Sequence, residues 1–210
     1  GDVDASAFAH AARAYAAMNA TDPDAIWFYQ GWILGAGDAD VVAGYAAAVP
    51  AGRLVISDMW AEWAPIYPML AAQGVPYVYG ALQNFGGTLY LGMSVDVINT
   101  GAPEDPSAAP SLRDALATYA GGLGVGAFPE GVDQNPAYFT FLFDALWATA
   151  DGAPRDLGAW WRRYALERYG ADVPRAASAW AALGATVYGI DERANATEGG
   201  FEREKARGGV

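Results

Sequence analysis

Four short apolar runs, each followed by a segment with helical spacing, constrain the fold of this chain more than any other feature. The runs span residues 26–31, 53–58, 76–82 and 122–128, and they are too short for helices. Their central residues are continuously apolar rather than alternating, which is typical of strands buried on both faces of a parallel sheet. The sequence therefore predicts four parallel β-strands, as in half of a (β/α)8 barrel or in a doubly wound sheet.

Helical patterns predict the rest of the architecture. The predicted helices cover residues 5–20, with Asp4 as N-cap, and then 38–49, 65–72, 88–98, 136–149, 157–169 and 173–188. The composition of residues 100–110, which is rich in Pro and Ala, predicts a mobile loop. The Gly and Pro residues within 151–154 predict a domain boundary. The predicted organisation is an α/β domain over 1–150, helices of an all-α domain over 151–190, and a disordered tail over 191–210.

Charge and composition exclude several kinds of function. The net charge of −12 argues against nucleic acid and anionic membranes as partners, and no run is long enough to span a bilayer. With no Cys and a single His, a thiolate nucleophile, a serine triad and a multi-His metal site are excluded within this chain. We predict no metal and no cofactor. An anionic cofactor site is a weaker alternative, because no phosphate-binding glycine motif is present. Carboxylates must carry any chemistry.

Acidic, amide and aromatic residues follow the four predicted strands directly. They include the acids Asp58, Glu62, Glu130 and Asp133, the aromatics Trp32, Trp60, Trp63 and Phe85, and the amides Gln30, Gln83 and Asn84. Parallel-sheet enzymes place their chemistry at these strand ends. Glycoside hydrolysis needs two carboxyl groups, and sugars bind to aromatic faces and polar side chains. The pattern predicts a carbohydrate-active barrel, and a binding module without catalysis stays open as the alternative.

Several of these segments resemble a known family. The segments are Tyr-Gln-Gly-Trp at 29–32, Asp-Met-Trp-Ala-Glu at 58–62, Leu-Gln-Asn-Phe-Gly-Gly at 82–87 and Phe-Pro-Glu-Gly-Val-Asp-Gln-Asn at 128–135. In this order, and with Ala159-Trp160 and 168–170 beyond them, they resemble the α-N-acetylglucosaminidases of glycoside hydrolase family 89. The resemblance extends from about residue 8 to about residue 190.

The resemblance implies a retaining exo-hydrolase that removes terminal α-linked N-acetylglucosamine from glycans such as heparan sulfate. It implies that Glu130 is the nucleophile and that Trp32 and Asn84 line the sugar pocket. Asp58 and Glu62 take a supporting or hydroxyl-binding role, which makes them predicted substrate-binding residues. The family is typically secreted or lysosomal. Two sequons, at Asn19 and Asn195, are short enough to occur by chance.

Two residues depart from the family pattern, and one expected residue is absent. Gln83 stands where the family has His, and Trp63 stands where a small polar residue is usual. The acid/base Glu of the family has no match here, since its strand precedes the first residue of this chain. The chain thus resembles the second half of a (β/α)8 barrel plus the first helices of an all-α domain, with the N-terminal half-barrel as its missing partner. For the chain alone, the absent acid/base favours a non-catalytic carbohydrate-binding module.

Overall fold

The computed structural model describes residues 3–82, 95–101, 110–129, 134–147 and 155–189. Its strands are β1 (Trp27–Gln30), β2 (Leu54–Asp58), β3 (Tyr77–Ala81) and β4 (Gly122–Ala127). Its helices are α1 (Ala5–Thr21), α2 (Ala39–Ala48), α3 (Tyr67–Ala72), α4 (Val95–Thr100), α5 (Leu112–Thr118), α6 (Pro136–Trp147), α7 (Leu157–Tyr169) and α8 (Pro174–Ala185).

The strands form one parallel sheet in the order β1-β2-β3-β4. In register, Phe28 is opposite Val55, Ile56 opposite Tyr77, and Ala81 opposite Ala127. Each strand lies next to the strand that follows it in sequence, as expected for part of a β/α barrel. The predicted four parallel strands and the partial barrel are confirmed.

Burial differs between the central and the outer strands of the sheet. Every residue of β2 is buried, which agrees with the prediction from its continuous apolar run. In β1, burial alternates: Trp27 and Tyr29 pack against Tyr45 of α2, whereas Phe28 and Gln30 are exposed. Leu123 of β4 is also exposed. Strands β1 and β4 are the edges of the four-stranded sheet, so the expectation of burial on both faces is wrong for them.

The described residues group into two compact units, and residues 3–82 and 112–129 form the first. Its helix α1 is capped by Asp4, whose carboxylate accepts a hydrogen bond from the N–H of Ala7 as predicted. Helix α2 packs closely on α1 at Gly44, where a Cβ would lie 2.8 Å from the Asp4 carbonyl oxygen. The core under α3 is aromatic, with the buried ring of Tyr67 stacked on Tyr77 at 5.5 Å.

The second unit contains the described residues of 95–111 and of 134–189. Arg155 is joined to Asn99 by two hydrogen bonds, one from its backbone N–H and one to its carbonyl oxygen. Trp160 of α7 donates from its indole N–H to Asp144 of α6 at 2.7 Å. Helices α7 and α8 pack through stacked indole rings, those of Trp161 and Trp180. All regular structure described beyond residue 154 is helical, as predicted.

Helix positions agree with the sequence patterns apart from one omission. The periodicity did not predict α5, which is only 7 residues long and borders the segment 100–110 that reads as loop. The first part of the predicted helix 88–98, most of the predicted loop 100–110, the predicted boundary at 151–154 and the predicted tail 191–210 lie outside the described residues. In the part of the chain that the structure describes, no helix is long and apolar enough to cross a membrane.

Candidate functional site

The carboxyl ends of the strands bring four chain segments to one edge of the sheet. Strand β1 leads into a 3-10 turn, Gly31–Ile33, that carries Trp32. This turn passes close to β2, since a Cβ on Gly31 would lie 2.3 Å from the carbonyl oxygen of Ser57. Strands β3 and β4 end side by side, where the N–H of Phe128 donates to the carbonyl of Ala81 at 3.0 Å. Asn84 and Glu130, which follow β3 and β4, lie outside the described residues.

A row of three indole rings lies at this edge. Trp32, after β1, contacts Trp60, after β2, with ring centroids 6.0 Å apart. Trp60 is stacked on Trp63 at 5.7 Å, with the two ring planes within 9° of parallel. Trp32 is 42% exposed, and the other two are half-buried. We call these residues the tryptophan row. Offset stacking at this distance is favourable between aromatic rings and fixes their orientation.

Asp58, the last residue of β2, is buried with 2% exposure. Its Oδ2 accepts hydrogen bonds from the backbone N–H groups of Ile66 and Tyr67, at 2.7 and 2.8 Å. These are the N–H groups at the start of α3, which have no partner inside the helix. Burial raises the pKa of Asp58 from 3.8 to about 7, although hydrogen bonds from Ile66, Tyr67 and the N–H of Trp60 act in the opposite direction. The carboxyl group thus holds both ends of the loop 59–66.

Glu62 is buried in the middle of the same loop, with 3% exposure. Its Oε1 accepts a hydrogen bond from the N–H of Leu82 at 3.2 Å. Close by, the N–H of Ala61 donates to the carbonyl of Gly80 at 3.0 Å. The loop after β2 is therefore attached to the carboxyl end of β3, two residues before Asn84 in sequence.

The ring of Phe128 packs on one face of the sheet near the ends of β3 and β4. The ring of Phe128 lies over two strand glycines, because a Cβ on Gly80 would be 2.5 Å from it and a Cβ on Gly126 2.9 Å. The sequence analysis did not single out these glycines. A glycine inside a strand pattern often marks a close approach of another group, so a signal was present.

Of the predicted site residues, the structure brings Trp32, Asp58 and Glu62 to the same edge of the sheet. Trp32 and the loop of Glu62 are linked through Trp60, which lies between the rings of Trp32 and Trp63. Asp58 belongs to the same loop through its bonds to the start of α3. Both carboxyl groups are buried and accept hydrogen bonds from backbone N–H groups, so neither is directed to solvent.

Comparison with known proteins identifies relatives of this chain. The sequence profile of the family described as the α-N-acetylglucosaminidase (NAGLU) TIM-barrel domain matches residues 2–149. The human protein named α-N-acetylglucosaminidase is 36% identical over 180 residues, which cover 83% of this chain. That match spans 23% of the human protein, so the chain corresponds to about a quarter of its relative.

Solved structures of a bacterial enzyme have a similar fold. A family 89 glycoside hydrolase from Clostridium perfringens, in complex with PUGNAc, superposes with a TM-score of 0.70 at 24% identity. The enzyme CpGH89 from the same organism, in complex with its substrate GlcNAc-α-1,4-galactose, superposes with a TM-score of 0.70 at 23% identity. Each match covers 90% of this chain and 19% of the bacterial chain. At these identities the likeness establishes the fold alone.

Proposed function

Since the chain belongs to the α-N-acetylglucosaminidase (NAGLU) TIM-barrel domain family, we propose that it supplies part of the catalytic barrel of a retaining exo-α-N-acetylglucosaminidase. The observation that carries the proposal is the common edge at which all four parallel strands end. The tryptophan row lies there, and in sequence Asn84 and Glu130 each come three positions after the last residue of β3 and of β4. The substrate class is a glycan with a terminal α-linked N-acetylglucosamine. The remaining half of the barrel is the partner that completes the site.

Glu130 is the proposed nucleophile. In a retaining glycosidase, one carboxylate attacks the anomeric carbon and forms a covalent glycosyl-enzyme, while an acid about 5–5.5 Å away protonates the leaving oxygen. The second carboxyl group then removes a proton from the water that hydrolyses the intermediate. The family resemblance places that acid/base Glu outside this chain, so these 210 residues alone are not expected to turn over substrate.

Trp32 and Asn84 are proposed to bind the terminal sugar, with Trp32 stacking against its apolar face. For Asp58 and Glu62, the supporting role is favoured over direct binding of sugar hydroxyls. The Oδ2 of Asp58 holds two N–H groups at the start of α3, and the Oε1 of Glu62 holds the N–H of Leu82. A carboxylate whose oxygens accept such bonds has less capacity to accept from a sugar hydroxyl.

The test uses the complete polypeptide encoded by the reading frame that contains this chain. Hydrolysis of an aryl α-N-acetylglucosaminide and of GlcNAc-α-1,4-galactose would be measured for the wild type, for Glu130→Ala and for Glu130→Gln. We expect turnover by the wild type and almost none by either variant, even with a good leaving group, because no glycosyl-enzyme forms. The 210-residue chain serves as a second control, and we expect no turnover from it. Turnover by that chain that Glu130→Gln abolishes would show that a second carboxylate within it acts as the acid.

Azide identifies the role of Glu130. In Glu130→Ala, azide would enter from the face that the nucleophile occupied, and it would give an inverted β-glycosyl azide. A retained α-glycosyl azide would show that Glu130 is the acid/base and would refute the assignment. A wild-type polypeptide that binds N-acetylglucosamine without any hydrolysis would instead favour the carbohydrate-binding module.

A further inference from the structure

One sequence motif of the first unit has no part in the candidate site. Asn19-Ala20-Thr21 matches the acceptor pattern for an N-linked oligosaccharide, in which any residue except Pro stands between Asn and Ser or Thr. It occupies the last turn of α1. A second match, at Asn195, lies outside the described residues. A match of three residues is weak by itself, so the surroundings of Asn19 in the structure decide what this residue can do.

The requirements of the helix do not explain why Asn and Thr stand at its end. Nine of the 17 residues of α1 are Ala, the best helix former, whereas Asn and Thr are both poor ones. The buried stripe of the helix consists of Ala7, Ala11 and Tyr15, and it ends one turn before Asn19. Asn19 does not cap the helix either, because the C-cap residue is Asp22. Neither helix propensity, nor packing, nor capping therefore accounts for the motif.

The motif is accessible to solvent. Asn19 and Thr21 are exposed, as is the whole stretch 19–24, and neither side chain makes a hydrogen bond within the described part of the chain. The other described asparagines differ, since Asn99 uses both of its amide atoms in hydrogen bonds and Asn135 is buried and accepts one from a tyrosine hydroxyl. Among the described asparagines, Asn19 is thus the one that can carry a bulky substituent without breaking a contact.

The last turn of α1 lies away from the candidate site. Residues 22–26 connect this helix to β1, so the motif is near the amino end of that strand. The hydroxyl of Tyr15 donates to the carbonyl of Ala25 at 3.1 Å and holds the connection against the helix. The tryptophan row lies at the carboxyl ends of the strands, which is the opposite end of β1. A substituent on Asn19 therefore leaves the candidate site open.

The chemistry of the modification explains why exposure in the folded state is the relevant observation. The side-chain amide nitrogen of Asn forms a bond to C1 of an oligosaccharide and loses one proton. The bond between C1 and a polyprenyl diphosphate carrier breaks, and the diphosphate leaves. The transferase acts on an extended chain before a helix such as α1 forms, so the folded protein has only to tolerate the product. The exposed stretch 19–24 meets that condition.

We propose that Asn19 is an N-glycosylation site, which receives an oligosaccharide from a polyprenyl diphosphate donor. The site is independent of the proposed function, because another enzyme modifies α1 and no catalysis by this chain is involved. It implies that the polypeptide passes through the compartment that contains the transferase.

The experiment maps the complete polypeptide purified from the cells that naturally produce it. Peptide-N-glycosidases F and A in heavy-oxygen water convert a glycosylated Asn to a labelled Asp and leave an unmodified Asn unchanged. Trypsin cleaves after Arg13 and Arg53 and after Arg193 and Arg203, so the two matches lie on separate peptides. Digestion without the glycosidases measures spontaneous deamidation.

We expect labelled Asp at position 19 and, before glycosidase treatment, a peptide heavier by the mass of an oligosaccharide. A second measurement uses the polypeptide secreted from a eukaryotic host, in an Asn195→Gln background that removes the other match. Asn19→Gln and Thr21→Ala should abolish the glycosidase-sensitive shift in electrophoretic mobility. Thr21→Ser is the matched control and should retain the shift, since Ser also completes the acceptor pattern.

A peptide from the source cells that contains only unmodified Asn19 would overturn the proposal, even if Asn195 is labelled. A glycan that forms in the host but not in the source cells would overturn it equally, because the segment would then be accessible but unused. A mobility shift that persists in both Asn19→Gln and Thr21→Ala would place the glycan on another residue and refute the assignment.

Discussion

The buried carboxyl group of Asp58 should make the stability of this protein depend on pH in an unusual direction. Most carboxylates in folded proteins have depressed pKa values and stabilise the fold as pH rises. Asp58 is 2% exposed, and burial raises its pKa from 3.8 to about 7. The folded state therefore holds a proton that the unfolded chain releases, and this stabilisation is full below about pH 4 and lost as pH rises through 7.

The size of this effect on the free energy of unfolding follows from the difference between the two pKa values of Asp58. A difference of about three corresponds to roughly 4 kcal/mol, and the free energy of unfolding changes by at most about 1.4 kcal/mol per pH unit. Asp58→Asn removes the titration while keeping the shape of the side chain. We therefore expect the free energy of unfolding of the wild type, relative to Asp58→Asn, to fall by about 4 kcal/mol between pH 4 and pH 8.

Urea denaturation at half-unit pH steps measures this difference, and Asp40→Asn on the exposed part of α2 controls for the loss of one surface charge. A flat difference across the range would show that the carboxyl group is hydrated when ionised. A rise toward pH 8 would show that the hydrogen bonds from the N–H groups of Ile66 and Tyr67 outweigh burial. Either result refutes the reasoning.

Two further predictions concern glycines that lie against other groups. Gly80→Ala should destabilise the protein by at least about 2 kcal/mol, because the new Cβ would lie 2.3 Å from the carbonyl oxygen of Asp58, whereas Gly37→Ala has nothing within 4 Å and should be neutral or stabilising. Thermal unfolding of the two variants checks this, and equal Tm values would contradict it. Gly184→Ala in α8 would ordinarily stabilise a helix by about 1 kcal/mol, but its Cβ would lie 2.1 Å from the indole nitrogen of the buried Trp161. We expect a net loss of about 1–3 kcal/mol, and a higher midpoint in urea would disprove the close contact.

Much of the fold could be predicted from the sequence because its signals are local. A run such as 54–58 is too short for a helix and begins with three consecutive apolar residues, which predicts a buried strand. The helical spacing between runs implies the crossover connection that parallel strands require. Asp4 directly precedes a segment with helical spacing, which predicts an N-cap, and in the structure its carboxylate accepts a hydrogen bond from the N–H of Ala7. The family motifs are likewise contiguous, so their order alone predicted the membership that the profile and the human relative confirm.

Tertiary structure alone determined the hydrogen-bond partners of side chains whose partners are distant in sequence. The sequence predicted Asp58 and Glu62 as substrate-binding residues, but it contained no indication that their oxygens would accept from Ile66, Tyr67 and Leu82. Those bonds depend on the path of the loop after β2, which no periodicity describes.

The stacking of the tryptophan row and the burial of each strand also depend on tertiary structure and could not be predicted from the sequence. An apolar run is equally apolar in the middle or at the edge of a sheet, so composition could not predict that β2 is buried throughout while Phe28 of β1 is exposed. The spacing of Trp60 and Trp63 places them near each other, but only the hydrogen-bonded loop sets their rings parallel and brings them beside Trp32. Local patterns determine which elements form, and packing between them determines which side chains remain accessible for binding.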